Sequence, residues 1–206
     1  MDDKNVLRRG QKFYLAIRRF LDIIFSGLGL ILISWFLLII ALLIKCTSKG
    51  PVFFRQERVG KNKKIFRIFK FRTMRADAPE IAPSEMSEEE QKAMEYGFGN
   101  FLRKFSIDEL PQLINIFLGH MSFIGPRPGA AHNEEELIKL REEHHPSAFL
   151  VQPGLSGYAQ IKMHRDHDPL KKAELDSYYV AHCNFFFDTK LFFQTLFSIF
   201  SRNKGK

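Results

Sequence analysis

Two adjacent acidic residues, Asp108 and Glu109, are the first candidates for chemistry in this chain. Ser106 with Glu109 three residues later is a capping-box pattern, which predicts a helix that begins here and runs to about Gly119. Free backbone N–H groups and the helix dipole would keep Asp108 ionised, as a nucleophile or a metal ligand. Taken alone, the simpler interpretation is that both carboxylates only cap the helix, and Pro111 fits its first turns poorly.

A glycine- and proline-rich loop follows and fixes one arginine, Arg127. Pro126 and Pro128 flank it, so little backbone entropy is lost when the guanidinium binds an anion. The fork of that group suits phosphate oxygens. Upstream, Lys70 and Arg72 alternate along a predicted strand, which places both on one face as further phosphate ligands. The alternatives are a rigid loop without a ligand and a basic surface that faces anionic lipid.

A β-hairpin and several short helices are expected to position these residues. Two runs rich in aromatic and β-branched residues, 52–59 and 64–72, flank a turn at Gly60–Lys63, and this pattern predicts the hairpin. The acidic segment 77–95 predicts a solvated loop and a short helix. Short helices are also predicted over 137–143 and over 169–181 with Leu170 and Tyr179 on its apolar side, and a turn-rich loop over 152–157.

Residues Ile23–Ile44 carry no charged side chain and predict a membrane segment. As a helix the segment is roughly 33 Å long, close to the roughly 30 Å hydrocarbon core of a bilayer. Basic residues lie on both sides of it, which favours a cytoplasmic position for both flanks. Gly27, Gly29 and Ser34 are sites where such a helix could bend and turn back. The residues alone still favour a plain span, because re-entrant helices are rare.

The composition limits the remaining choices. With 206 residues the chain has room for one domain and an anchor. A formal net charge of +8 indicates an anionic partner: nucleic acid, a lipid headgroup or a phosphorylated substrate. The two cysteines, Cys46 and Cys183, lie far apart and predict neither a disulfide framework nor a zinc site. Phenylalanine is abundant in the segment 185–200, which predicts an amphipathic helix at the membrane interface or, alternatively, an ordinary core helix.

Four ordered blocks of this sequence resemble the bacterial sugar transferase family, whose small members are monotopic phosphoglycosyl transferases. Together they cover most of residues 18–180. The blocks are the run from Lys45 to Met74, the Asp-Glu-Leu-Pro-Gln-Leu segment, the Met-Ser-Phe-Ile-Gly-Pro-Arg-Pro segment, and the segment from Gln152 to Gln160. In one departure, Ser34-Trp35 stands where the family usually has Ser-Pro.

The resemblance implies a fold that is mainly α with a small β-hairpin, in a monotopic membrane protein. The N-terminal helix would be re-entrant, with both ends cytoplasmic, and amphipathic helices would lie at the interface. Three regions are implied: 1–46 as basic segment and re-entrant helix, 47–183 as cytoplasmic catalytic domain, and 184–206 as interfacial helix. The localisation implied is the cytoplasmic face of the bacterial inner membrane.

The resemblance also implies the reaction. A sugar-1-phosphate would pass from a UDP-sugar to polyprenol phosphate with release of UMP, through a covalent phosphosugar on Asp108. Mg²⁺ would bridge Asp108 and the diphosphate, and Glu109 would be the partner of the nucleophile. Membrane phospholipid is the further partner expected, and nucleic acid is not. Five residues match family positions for substrate binding: Lys70, Arg72, Arg103, Arg127 and Asp176.

Two rival functions are kept beside the transferase. A membrane-anchored basic module for anionic lipid or nucleic acid would explain the charge and the apolar segment, but not Asp108 and Glu109 beside the loop of Arg127. An anchored hydrolase of nucleotide diphosphates would use the same groups with water as acceptor. UMP release with and without lipid separates the three.

Overall fold

The computed structural model describes residues 6–75, 96–131, 134–163 and 168–202. The predicted loop at 77–95 therefore lies outside the described residues. The fold is mostly helical with a small antiparallel sheet, as predicted. The helices are α1 (Arg9–Thr47), α2 (Gly97–Lys104), α3 (Gln112–Leu118), α4 (Glu135–Glu143), α5 (Tyr158–Met163), α6 (Pro169–His182) and α7 (Phe185–Arg202), and the strands are β1 (Phe53–Val59), β2 (Ile65–Phe71), β3 (Ser122–Ile124) and β4 (Gly154–Ser156).

The predicted apolar segment lies within α1, a helix of 39 residues. A run rich in Leu, Ile and Phe without proline allows the helix to continue, and among the described residues α1 alone is long and apolar enough to cross a membrane. Large apolar side chains cover its outward face: Ile31 is 72% exposed and Trp35 65%. This exposure leaves an apolar surface that water would not tolerate well.

Gly27 and Gly29 were predicted as sites of a bend, and the structure uses them differently. The helix continues through both residues and through Ser34, whose hydroxyl donates a hydrogen bond to the Ile31 carbonyl oxygen at 2.9 Å. A Cβ atom at Gly27 would lie 3.3 Å from the Phe117 ring, and one at Gly29 would lie 3.4 Å from a methyl group of Leu113. The glycines therefore let α3 pack closely against α1.

Both ends of α1 pack against the rest of the chain. Near the N-terminus, Leu15 joins an apolar cluster with Ile124, Val151 and Tyr179. Near the C-terminus, Ile40 and Ile44 join a second cluster with Phe71 and Leu102. Because the contacts of α3 lie between these two clusters, the helix lies along one globular body over most of its length.

The predicted hairpin is confirmed. Strands β1 and β2 pair antiparallel, with Phe54 opposite Lys70 and Val59 opposite Ile65. The connecting turn lies at the predicted position, and Asn62 adopts a positive φ of 55° there, as asparagine tolerates in tight turns.

A second sheet was not predicted. β3 and β4 pair in parallel, although the segment 152–157 had been interpreted as a loop. Their backbones approach so closely that a Cβ atom at Gly125 would lie 2.5 Å from the Gln152 carbonyl oxygen, and one at Gly154 would lie 2.1 Å from the Gly125 nitrogen. Only glycine fits such contacts, and they fix the start of the loop that carries Arg127.

The predicted helices at 137–143 and 169–181 are present as α4 and α6. The predicted apolar side of α6 is only partly right, since Tyr179 is fully buried while Leu170 is 47% exposed. The buried face of α6 also includes the polar residues Asp176 and Ser177. In α7, Leu191 and Asp188 are buried whereas Phe186 and Phe197 are 82% and 74% exposed. Helix α7 is therefore amphipathic, and its position at a membrane interface stays a prediction.

Candidate active site

The acidic pair lies on a single 3₁₀ turn, Ile107–Glu109, and the predicted capping box is wrong. Ser106 adopts a left-handed φ of 56° and makes no side-chain cap, whereas a capping serine needs an extended backbone. The α-helix begins only after Pro111, because proline has no N–H to donate within a helix. The predicted end at Gly119 is right, and that residue adopts a φ of 85° that suits a C-terminal glycine.

Asp108 is buried, with 8% of its surface exposed. Burial raises the pKa of its carboxyl group, and the neighbouring Glu109 raises it further, while the charges of Lys70 and Arg103 oppose this shift. The sequence predicted that a helix terminus would keep Asp108 ionised well below neutral pH. The helix terminus is absent, because the group lies on a turn, and the largest influence on its pKa is desolvation, which disfavours the ionised form.

Glu109 forms ion pairs with two cations. Its Oε1 atom lies 2.7 Å from Lys70 Nζ and 2.5 Å from Arg127 Nη2. Burial would raise the pKa of Glu109, but Arg127 and Lys70 together hold it well below its usual range. Burial lowers the pKa of Lys70, and Glu109 opposes that change. Glu109 is thus a fixed anion that orients both cations beside Asp108.

Arg127 is held by its backbone as well as by its side chain. Arg141, a buried residue of α4, donates from Nη2 to the Arg127 carbonyl oxygen at 2.9 Å. The guanidinium of Arg141 is itself paired with Asp176 of α6, and its Nε donates to Oδ2 at 2.8 Å. The structure therefore places Asp176 behind Arg127 at 1% exposure, where it acts through Arg141.

The predicted pair Lys70 and Arg72 is separated. Strand β2 ends at Phe71, and Arg72 donates from Nη1 to the Lys49 carbonyl oxygen at 2.8 Å and from Nη2 to the Ser48 carbonyl oxygen at 2.9 Å. Cations near the C-terminal carbonyls of a helix complement its dipole. Arg72 thus binds the end of α1, away from the acidic pair.

Arg103 lies at the edge of the site. Its Nη2 donates to the Thr73 hydroxyl at 3.0 Å, and its charge lowers the pKa of Asp108. The structure therefore brings four of the predicted residues together, with Arg103 beside them. We call the four residues the site cluster: Lys70, Asp108, Glu109 and Arg127.

Two residues of the site were not singled out from the sequence, Arg141 and Arg58. Arg58 of β1 donates from Nη1 to the Pro128 carbonyl oxygen at 3.1 Å, and the same atom lies 3.8 Å from Glu134. Arg58 therefore braces the Arg127 loop from the hairpin side. The position of Arg58 in a basic strand was the only sequence feature that pointed to it. Arg141 is one of several charged residues on a short polar helix, and nothing in the sequence distinguished it from the others.

The donor set suits Mg²⁺ when substrate is bound. The described part of the chain contains no group of three or more His, Cys, Asp or Glu that could hold a metal by itself. Mg²⁺ commonly binds one or two carboxylates together with substrate phosphates and water. Glu109 is already paired with Lys70 and Arg127. Asp108 is therefore the carboxylate of the acidic pair that fits this mode of Mg²⁺ binding.

Comparison with known proteins establishes the family. The sequence model of the bacterial sugar transferase family matches residues 13–202, so this chain belongs to that family, as the resemblance indicated. The chain is similar to the UDP-glucose:undecaprenyl-phosphate glucose-1-phosphate transferase of Escherichia coli K12, with 40% identity over 192 residues. That match covers 89% of this chain and 40% of the relative.

Two further relatives differ in length. The exopolysaccharide production protein PSS of Rhizobium leguminosarum bv. phaseoli is 36% identical over 202 residues, which cover 93% of this chain and 98% of the relative. The UDP-N-acetylgalactosamine-undecaprenyl-phosphate N-acetylgalactosaminephosphotransferase of Aeromonas hydrophila is 35% identical over 193 residues, covering 90% of this chain and 44% of the relative. The chain thus spans less than half of some relatives and nearly all of another.

Proposed function

We propose that this protein transfers a sugar-1-phosphate from a UDP-sugar to undecaprenyl phosphate and releases UMP, in two steps through a phosphosugar on Asp108. The observation that carries the proposal is the site cluster, in which a buried carboxylate lies beside two cations that Glu109 orients. The names of relatives support the substrate classes, since they include transferases for UDP-glucose and for UDP-N-acetylgalactosamine. They name different sugars, so the proposal leaves the sugar open.

In the first step, a carboxylate oxygen of Asp108 attacks the β-phosphorus of the UDP-sugar. The bond from that phosphorus to the bridging oxygen breaks, and UMP leaves with the electron pair. Lys70 and Arg127 bind the phosphate oxygens and stabilise the charge that develops there, because hydrogen bonds from cations to anionic oxygens are strong in a buried site. Burial of Asp108 strips water from the nucleophile before the substrate arrives.

In the second step, a phosphate oxygen of the acceptor attacks the same phosphorus. The acyl-phosphate bond breaks, the Asp108 carboxylate is restored, and the sugar leaves on a polyprenyl diphosphate. Glu109 keeps Lys70 and Arg127 in place through both steps, because its depressed pKa holds it as an anion. Glu109 therefore acts by positioning rather than as a proton donor.

Asp108 would hold Mg²⁺ together with the diphosphate of the substrate. When bound, the ion neutralises negative charge on the phosphates and the leaving group. Arg127 and Lys70 orient the same phosphates, and this role does not depend on whether Asp108 also binds the metal.

We further propose that α1 does not cross the bilayer and that both of its ends lie on the cytoplasmic side of the bacterial inner membrane. The support is the packing of α1, whose two ends and middle all contact the same globular body. A straight span would place about 30 Å of hydrocarbon between the two ends. The exposed apolar face of α1 would instead enter the cytoplasmic leaflet, together with the exposed Phe residues of α7.

An impermeant maleimide tests this arrangement in intact spheroplasts. Cys46 is exposed at one end of α1, and Arg8→Cys in a Cys46→Ser background places a thiol at the other end. Both thiols should stay unlabelled until the membrane is permeabilised. Labelling of either one in intact spheroplasts would show a span.

The reaction is tested with purified protein, Mg²⁺ and a panel of UDP-sugars. Without lipid, we expect a mass increase equal to one sugar phosphate and a stoichiometric release of UMP. With undecaprenyl phosphate, UMP release should become catalytic. Sustained UMP release without lipid would identify a hydrolase, and no UMP release with any sugar would leave the membrane-anchored binding module.

A further inference from the structure

Three aromatic side chains, two on α2 and one on the residue that follows it, form a strip that the steps above do not use. We call Phe98, Phe101 and Phe105 the aromatic ridge. The rings of Phe98 and Phe101 stack with centroids 6.1 Å apart, and the centroids of Phe101 and Phe105 are 4.9 Å apart. Phe101 is 47% exposed and Phe105 40%. Rings that contact one another and remain this exposed form a continuous apolar patch, which marks an interaction site more often than scattered residues do.

The aromatic ridge connects α1 with the candidate nucleophile. At one end, Phe98 packs against the apolar cluster that contains Ile40 and Ile44 of α1. At the other end, Phe105 is followed within three residues by Asp108, and Ile107 between them packs against the same cluster. The ridge therefore packs on the apolar cluster of α1, and its last residue lies three positions before the candidate nucleophile.

Positive charge lies at the end of the ridge near the nucleophile. Lys104 Nζ is 5.7 Å from the centroid of the Phe105 ring. Arg103 precedes it and is close enough to Asp108 to lower the pKa of that carboxyl group. An apolar strip that ends in cations is complementary to an amphiphile with a long apolar chain and an anionic head.

We propose that the aromatic ridge binds the isoprenyl chain of the acceptor lipid, with the lipid phosphate at the Asp108 end. The inference rests on the proposed transferase function. Asp108 is buried in the body that packs along α1, so the acceptor phosphate has to enter that body to reach the phosphorus, and the isoprene units next to the phosphate follow it. The ridge offers them apolar surface along that path, which offsets the cost of exposing them to water.

The test separates the two steps of the reaction in the full chain. A double variant with Phe101→Ser and Phe105→Ser should raise the KM for undecaprenyl phosphate roughly tenfold, because each substitution removes apolar contact with the isoprenyl chain. The lipid-free adduct should form at the wild-type rate, and the KM for the UDP-sugar should not change. An intact adduct also shows that the variant is folded. Ile65→Ser, a matched change at a 60% exposed apolar residue of the hairpin, should change none of these quantities.

Three outcomes would overturn the ridge as an acceptor site. A higher KM for the UDP-sugar would assign the rings to the nucleotide or sugar. Weaker association with vesicles at an unchanged acceptor KM would assign them to anchoring. No change at all would leave the ridge without a role in the reaction. A wild-type protein that forms no adduct and releases no UMP would instead refute the transferase function, so the two failures are distinct.

Discussion

Two of the charge clusters in the described part of the chain differ in how far their charged side chains are exposed to solvent. The anchor cluster joins α1, α6 and α7 through Tyr14, Arg18, Tyr179 and Asp188. Arg18 Nη1 lies 3.2 Å from Asp188 Oδ2, and the Tyr179 hydroxyl donates to Asp188 Oδ1 at 2.8 Å. Both charged side chains are less than one tenth exposed. In the site cluster, side-chain exposure is 17% for Lys70, 23% for Glu109 and 30% for Arg127.

The difference separates a structural role from a chemical one. In the anchor cluster Arg18 is paired with Asp188 and also feels the charge of the buried Asp22. Hydroxyl groups complete the cluster: Tyr14 donates to Asp188 at 2.5 Å and Arg18 donates to Tyr179 at 2.8 Å. In the site cluster two cations share one anion, and a second carboxylate, Asp108, is buried beside them. Paired charges that exclude solvent stabilise a fold at best modestly, whereas partly exposed cations beside a carboxylate nucleophile are available to a substrate.

The largest effect is expected from Asp108→Asn. An amide cannot attack phosphorus, so turnover should fall by at least roughly 1000-fold, and the lipid-free adduct should vanish from the mass spectrum. Because burial raises the pKa of this carboxyl group, the native fold disfavours its charge, and the variant should melt no lower than wild type at pH 7. A trapped adduct on a different residue would refute Asp108 as the nucleophile.

Lys70→Ala and Arg127→Ala should each reduce kcat/KM by roughly 10- to 150-fold, the value of one charged hydrogen bond to phosphate. Arg67→Ala is the matched control, since Arg67 lies on the same strand with its side chain 67% exposed and pairs with Glu57 at 3.4 Å. It should change kcat/KM little, because an exposed ion pair contributes little. Equal losses in all three variants would reduce the site cluster to a diffuse electrostatic role.

Asp176→Asn tests whether Asp176 acts through Arg141. It leaves the buried Arg141 without its anion, which should lower the free energy of unfolding by about 3–5 kcal/mol. In an Asp176→Leu, Arg141→Met double variant no charge is left unpaired, so stability should recover, but kcat should stay reduced because the Arg127 carbonyl has lost its donor. Full recovery of kcat in the double variant would mean that this support of Arg127 is unnecessary.

The pH dependence of adduct formation sharpens the assignment. A raised pKa means that Asp108 becomes protonated, and loses its nucleophilic form, at a pH above the ordinary value of about 4. The rate should therefore fall as pH decreases, with an apparent pKa above that value. Arg103→Gln should shift this fall in rate to higher pH, since the charge of Arg103 favours the ionised form of Asp108. An unshifted fall in rate would show that another group controls it.

The smallest effect on activity is expected from the anchor cluster. Asp188→Asn should lower the free energy of unfolding by at most about 3–5 kcal/mol, because the buried Arg18 loses the carboxylate it is paired with and keeps only the influence of Asp22. The kcat per folded molecule should change by no more than about twofold, since the two clusters share no partner. Chemical denaturation and adduct titration of the same preparation measure both quantities. A large loss of kcat in fully folded protein would erase the distinction between the clusters.

The sequence by itself determined the elements with strong local signals. The apolar run of α1, the alternating strands of the hairpin with its turn, and the helices α4 and α6 follow from periodicity and turn residues that act over a few positions. The residues of the site cluster stood in the blocks that resemble the family, and their roles stay predictions. Family membership also followed from those blocks and is confirmed by the match over residues 13–202.

Tertiary structure decided how those residues are used. Arg72 shares an alternating pattern with Lys70, but the strand ends between them. Arg72 instead donates hydrogen bonds to the carbonyl oxygens of Ser48 and Lys49, directly after α1. Asp176 matched a family position, but only the crossing of α4 and α6 shows that it reaches the site through Arg141. Burial is the largest influence on the pKa of Asp108 and raises it, whereas the local helix signal predicted a group that stays ionised. Ion pairs and burial join residues far apart in sequence, so no local pattern could contain them.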